Sequence, residues 1–361
     1  MKLKSLIYIL LAAAWGDSAS AQTDYAAQAT AGDATLANFA FANGQKMAAL
    51  KVHYITLGTP RRDKAGRIVN AVMVLHGTGG SGQQFLQPQY AQELYGPGQP
   101  LDLKRYYVIL PDGIGHGRSS KPSDGLRMRF PAYTYADMVE AQHRLLVEQL
   151  GVTKLRLLMG TSMGCMHGFV WGARYPDFVA AMMPMACLPT RIAGHNRMWR
   201  KAAIDGIKLD PAWRNGDYAS QPLQGLRTAV SLLQVAGFAP LYLQKAYANP
   251  DAADAYIVDR IAKDLPTRDA NDLIYQLSAS YDYDPSASIE RIRVPMTWVN
   301  SSDDFINPWD YGIAEKAATR LPNARYVLIK ATDQTRGHST HTWAKLWKDD
   351  LIALLARTER R

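Results

Sequence analysis

Apolar positions along this chain follow two alternating rhythms. Short, nearly continuous apolar runs at 52–57, 69–75, 106–110, 155–159, 180–186, 296–299 and 326–329 have the length of strands buried on both faces. Between several of them apolar residues recur every three to four positions. The clearest such stretches are 135–150, ended by Gly151, and 310–320, which stops before Pro322. This alternation predicts a mostly parallel sheet with helices on both faces. The rhythm breaks between 189 and 292. That stretch carries helical patterns without a clear strand, and Asp210-Pro211, Gly225, Pro240, Pro250, Pro266 and Pro285 divide it into short helices and turns. An all-helical insertion between two strands of an α/β core reads as a cap. The expected organisation is a signal peptide over 1–21, a leader over 22–40, a core over 41–189, the cap over 190–292 and the rest of the core over 293–361.

Composition settles the ends of that plan and narrows the partners. Lys2 and Lys4 precede an apolar run over 6–14, and Ala19-Ser20-Ala21 offers small residues for cleavage. The run is too short to span a bilayer. A mature chain from Gln22, periplasmic or secreted and without a membrane anchor, is therefore expected. Residues 23–33 are small and polar, as in a loose leader. Hydrophobic content of 47% and charged content of 20% over 361 residues suit one globular domain with an inserted cap. The formal net charge of +9 comes from scattered basic residues, clustered only at 61–62 and 197–201. No basic stripe is interleaved with aromatics, so nucleic acid is not expected as a partner, and anionic small molecules or surfaces are favoured. A homodimer is compatible with this composition. Cys165 and Cys187 are the only cysteines, too few for a disulfide framework or a zinc-ligand set. Both lie in apolar runs, where free cysteine packs as a small hydrophobe. A bridge between them in an oxidising compartment stays open.

Candidate chemistry centres on Gly160-Thr161-Ser162-Met163-Gly164, which follows the apolar run 155–159 and precedes the apolar stretch 165–171. A strand, a sharp turn and a helix in that order present a serine hydroxyl above a sheet, near helix-start N–H groups that favour negative charge. A serine hydroxyl needs a base to take its proton, and the base needs an orienting acid. In an open α/β sheet reactive groups gather at the carboxyl ends of strands. Past the run 296–299 stand Asp303 and Asp304, and Asp304 is preferred as the acid. Past the run 326–329 stands His338, on a loop before a helix expected over 340–355. His341 falls inside that helical pattern, so His338 is the expected base. An oxyanion would be met by the backbone N–H groups of Met163 and of Thr78, in the loop His76-Gly77-Thr78-Gly79-Gly80. That loop lacks the lysine and hydroxyl ending of a phosphate-binding loop. The chemistry requires neither cofactor nor metal. The other histidines, His53, His76, His116, His143, His167 and His195, take structural roles by default. Trp199, Trp213, Tyr218, Phe238, Tyr242 and Tyr247 would give the cap apolar walls.

Serine, acid and histidine in the chain order Ser162, Asp304, His338 resemble the α/β-hydrolase fold. Within that superfamily the chain resembles the homoserine O-acetyltransferase branch. The similarity lies in the serine turn and its helix through Ala173-Arg174-Tyr175-Pro176-Asp177, in Phe130-Pro131 with Asp137-Met138-Val139, and in Asp210-Pro211-Ala212-Trp213 with Gly216-Asp217-Tyr218. It extends to Asp304-Phe305-Ile306-Asn307-Pro308 and covers most of the chain from about residue 40. The loop 76–80 and the segment 111–122 look instead like general hydrolases. Ser339-Thr340-His341 stands where the transferases usually carry an acidic residue and an aromatic. The arginine that holds an amino-acid carboxylate in that branch would match Arg200 or Lys201. The resemblance implies an acyl-enzyme on Ser162. Hydrolysis of a small ester, thioester or amide is expected, with O-acyl transfer as the alternative.

Overall fold

Val72 and Val74 pack on one side of a central sheet, Met73 and Leu75 on the other. The same division separates Val108 and Leu110 from Ile109, and Leu157 and Met159 from Leu158. Side chains alternate across a strand, so a run that is apolar at every position is stable only between two covered faces. The computed structural model describes residues 23–359. The expected signal peptide lies outside the described residues.

The strands are β1 (Thr30–Ala40), β2 (Lys46–Leu57), β3 (Ala71–Leu75), β4 (Tyr107–Pro111), β5 (Leu157–Thr161), β6 (Met182–Met185), β7 (Met296–Ser301) and β8 (Ala324–Ile329). They form one sheet in the order β1-β2-β4-β3-β5-β6-β7-β8. The strands from β4 to β8 run parallel, while β1 and β2 pair antiparallel at one edge. Helices α1 (Tyr25–Gln28), α2 (Pro88–Leu94), α3 (Tyr135–Arg144) and α4 (Met163–Arg174) precede the cap. Between β6 and β7 lie α5 (Gly194–Lys208), α6 (Leu223–Ala236), α7 (Pro240–Ala246), α8 (Pro250–Asp264) and α9 (Ala270–Ser278), with no strand among the described residues there. This helical layer has its own core, in which Ile204, Ile207, Trp213, Leu226 and Leu273 meet. Helices α10 (Ile313–Ala318) and α11 (Lys348–Thr358) complete the chain.

Three expectations need correction. Residues 30–40 are not part of a loose leader. They form β1, which pairs with β2 along most of its length, and Asp24 caps α1 just before it. The helix expected over 340–355 begins only at Lys348, because 337–342 and 344–346 wind as tight 3₁₀ turns. His338 therefore sits on a turn anchored in the core. Cys165 and Cys187 do not pack as free thiols; they are joined in a disulfide with Cα atoms 5.9 Å apart.

Candidate active site

Gly160 and Gly164 are required by close approach. A Cβ on Gly160 would stand 2.1 Å from the Gly164 carbonyl oxygen, and one on Gly164 the same distance, 2.1 Å, from that of Leu75. Strand and helix meet so tightly that Ser162 takes the bend itself, with φ 53° and ψ −112°. Such a backbone costs an L-residue on the order of 1–3 kcal/mol and persists only where its surroundings enforce it. Here β6 does so, because the Ser162 amide donates to the Met185 carbonyl at 2.8 Å. Met163 is the first residue of α4, so its own N–H has no acceptor within the helix.

The turn, the loop after β7 and the loop after β8 bring Ser162, Asp304 and His338 together. His338 Nε2 lies 2.8 Å from Ser162 Oγ, and His338 Nδ1 lies 2.8 Å from Asp304 Oδ2. A carboxylate can only accept, so Nδ1 carries the proton and Nε2 accepts from the serine hydroxyl. Burial pushes the Asp304 carboxyl up. The neighbouring His338 and hydrogen bonds from Asn307 outweigh burial and hold it below the usual carboxylate range. Its Oδ1 also accepts from the Ile306 and Asn307 amides at 2.8 and 3.1 Å.

The neighbouring candidates stay outside the relay. Asp303 Oδ2 accepts from Thr335 Oγ1 at 2.6 Å and from the Gly337 amide at 3.1 Å, and Ser301 Oγ donates to its Oδ1. It braces the loop that carries His338 without touching the imidazole. Burial drives the His341 imidazole down to about 3, so it is neutral at ordinary pH.

The loop 76–80 runs beside the serine. A Cβ on Gly77 would lie 3.3 Å from Ser162 Cβ. His76 shapes this loop: Nδ1 donates to the Gly77 carbonyl at 2.8 Å and Nε2 accepts from the Gly113 amide at 2.9 Å. Thr78, Ser162 and His338 line one cavity of about 640 Å³, roofed by the cap residues Trp199, Arg200, Phe238 and Tyr242.

Arg200 and Lys201, left open by the sequence, separate cleanly. Lys201 is exposed and pairs with Asp205. Arg200 is 2% exposed, its Nε donates to Asn196 Oδ1 at 3.0 Å, and one terminal nitrogen has no partner. The signal was present in the spacing, since 200, 203, 204 and 207 share one buried face of α5. Tyr135 stands beside the guanidinium. Arg268 carried no such signal. It reaches from the cap to donate to the Gly79 carbonyl at 2.7 Å and pairs with Asp264 at 2.8 Å. Among the described residues lining the cavity are four arginines (200, 260, 268 and 336) and one carboxylate, Asp264. The site is therefore electropositive.

A family profile described as alpha/beta hydrolase fold matches residues 70–341. A homoserine O-acetyltransferase of Rhodopseudomonas palustris is 30% identical over 310 residues, covering 80% of this chain and 73% of its own length. Among solved structures, the homoserine O-acetyltransferase of Bacillus anthracis superposes with a TM-score of 0.80 at 21% identity, covering 91% of this chain and 97% of that one. An acetylester hydrolase of Corynebacterium glutamicum gives 0.79 at 22% identity, covering 91% and 96%. These superpositions speak to the fold.

Proposed function

The chain belongs to the α/β-hydrolase superfamily, in its homoserine O-acetyltransferase-like branch, and from that premise we propose that it is an exported serine hydrolase cleaving a small ester, thioester or amide that bears an anionic group. The observation that carries the reading is the relay itself, Ser162 to His338 to Asp304 with both links at 2.8 Å, on the wall of an open cavity. His338 Nε2 takes the hydroxyl proton as Ser162 Oγ attacks the acyl carbon. Asp304 holds the ring and stabilises the imidazolium. The oxyanion is received by the Met163 and Thr78 backbone N–H groups, each contributing about 3 kcal/mol to the transition state. His338 then passes its proton to the departing group, and a water activated by the same nitrogen releases the acid.

Arg200 supports the anionic class, because a buried cation with an unpaired N–H gains most from a carboxylate. An amino-acid acceptor would also bring an ammonium. The one carboxylate among the described lining residues, Asp264, is already paired with Arg268, and Ser339 is uncharged. Gln84, Gln87 and Gln89 along the cavity keep it hospitable to water. The disulfide fits an oxidising compartment, as export requires. O-acyl transfer remains the second reading, favoured by Arg200 standing where that branch would hold its acceptor's carboxylate.

Both readings meet one experiment. Acyl donors, beginning with p-nitrophenyl acetate, are incubated with and without homoserine and the products weighed by mass spectrometry. Free acid alone is expected; a new ester on homoserine would overturn hydrolysis. In the same assay Ser162→Ala should lose at least about 10⁴ in kcat/KM with an unchanged melting temperature. Turnover retained by that variant would remove the acyl-enzyme.

A further inference from the structure

The disulfide lies directly under the relay. Cys165 stands in the first turn of α4, three residues beyond Ser162, and Cys187 follows β6 by two residues. Both are fully buried. The bend between β6 and Cys187 turns at Ala186, whose φ is 61°. It is pinned on the other side by β7. The Ala186 amide donates to the Val299 carbonyl at 2.9 Å, and the Cys187 amide donates to Asn300 Oδ1 at 3.2 Å. The Cys187 carbonyl accepts from Asn300 Nδ2 at 3.1 Å and from Trp298 Nε1 at 3.2 Å. The Ala186 carbonyl accepts from Asn307 Nδ2 at 3.0 Å. That same nitrogen donates at 3.2 Å to Asp304 Oδ2, the oxygen that accepts the hydrogen bond from His338 Nδ1. Asn307 and Asp304 are each 2% exposed, so no solvent can replace these bonds.

One bend thus touches both arms of the relay. Through Met185 it holds the Ser162 amide; through Ala186 and Asn307 it orients the acid. We propose that the Cys165–Cys187 disulfide is a positioning strut that fixes this bend against the serine-bearing helix, and that Asn307 is the positioning residue through which it acts on Asp304. The inference rests on the reading of Ser162, His338 and Asp304 as the relay. A bridge serving stability alone would lower the melting temperature and leave kcat untouched. A strut must show in kcat, because a displacement of an ångström in the reacting geometry costs up to about a hundredfold.

The test uses Cys165→Ala/Cys187→Ala, Asn307→Ala and their combination, assayed on p-nitrophenyl acetate well below each melting temperature. Each is expected to lose about tenfold in kcat with KM held within about twofold, and the combination to lose no more than the worse of the two. Should the paired alanines fail to fold, Cys165→Val/Cys187→Ala restores volume and carries the same measurement. Unchanged kcat without the disulfide, or losses that multiply in the combination, would overturn the strut. If Ser162→Ala retains turnover, the relay reading fails instead. If that variant is dead and the cysteine variants keep full kcat, only the strut falls.

Discussion

The two walls of the Ser162 cavity are built on different terms. On the core wall Ser162, His338 and Asp304 each have a partner, and the loops that bear them are tied to β6 and β7 by buried hydrogen bonds. On the cap wall the buried Arg200 and the half-buried Trp199 each keep an N–H without a partner, and α7 contributes no buried residue at all. Buried donors without partners are costly, and where they line a cavity a ligand can complete them. The difference teaches where to look. Chemistry is set in the sheet, where a relay needs fixed distances, and recognition is set in the cap, where bonds are left for the substrate to make.

If that division is correct, the largest effects belong to the core wall. Asp304→Asn should cut kcat by about 10⁴ on p-nitrophenyl acetate, since the amide favours the wrong tautomer of His338. Asp303→Asn, which loosens the His338 loop while leaving the relay intact, should cost at most about tenfold. Steady-state kinetics on the two variants decide the matter, and the opposite ranking would hand the acid role to Asp303.

Legibility follows the same division. Strands β3 to β7 were readable because burial on both faces demands an unbroken apolar run, and the glycines around Ser162 because close approach demands them. The acid and base followed from strand order. β1 escapes the hydrophobic pattern because it is made largely of Ala, Gly and Thr and buries only Ala34, Leu36 and Phe39; so weak an alternation resembles a loose polar leader. The 3₁₀ turns over 340–346 read as helix in the sequence because Trp347, which packs on Tyr90 with ring centroids 5.7 Å apart, falls in helical register with the residues after it. The disulfide could not be chosen from a separation of 22 residues. Only the parallel pairing of β5 with β6 brings the start of α4 beside the end of β6. Arg268 and Asn307 act through the Gly79 and Ala186 carbonyls, which distant loops bring in, and such contacts leave no periodic trace.

The cap wall is sharpened by substrate charge. Arg200→Gln should raise KM about ten- to a hundredfold for an ester carrying a carboxylate, while leaving p-nitrophenyl acetate nearly unaffected. Comparing the two substrates separates lost recognition from damage to the fold. Equal losses on both would mean that Arg200 holds the cap together and leaves the substrate alone.

Acid should pull the two regions apart by a smaller amount. Burial drives His167 and His341 in the core down to about 3, from an ordinary value near 6.5. Below pH 6.5 the unfolded chain gains protons that the folded one refuses, so stability falls as pH drops, by at most about 1.4 kcal/mol per pH unit for each histidine. Asp272 on α9 behaves oppositely. Burial raises its carboxyl to about 6, although Ser123 donates to it from both amide and hydroxyl. Its contribution is complete below about 3.8 and is lost as pH rises through 6, because protonation relieves the cost of burying the charge even though it weakens the bonds from Ser123. Melting temperatures between pH 7 and 4.5 should therefore fall for the native protein. The fall should be shallower in His167→Gln, which has no proton to take up, and steeper in Asp272→Asn, where the opposing gain is gone. Parallel curves for all three proteins would mean that neither group titrates across folding, and the contrast between a core that resists protons and a cap contact that welcomes one would be lost.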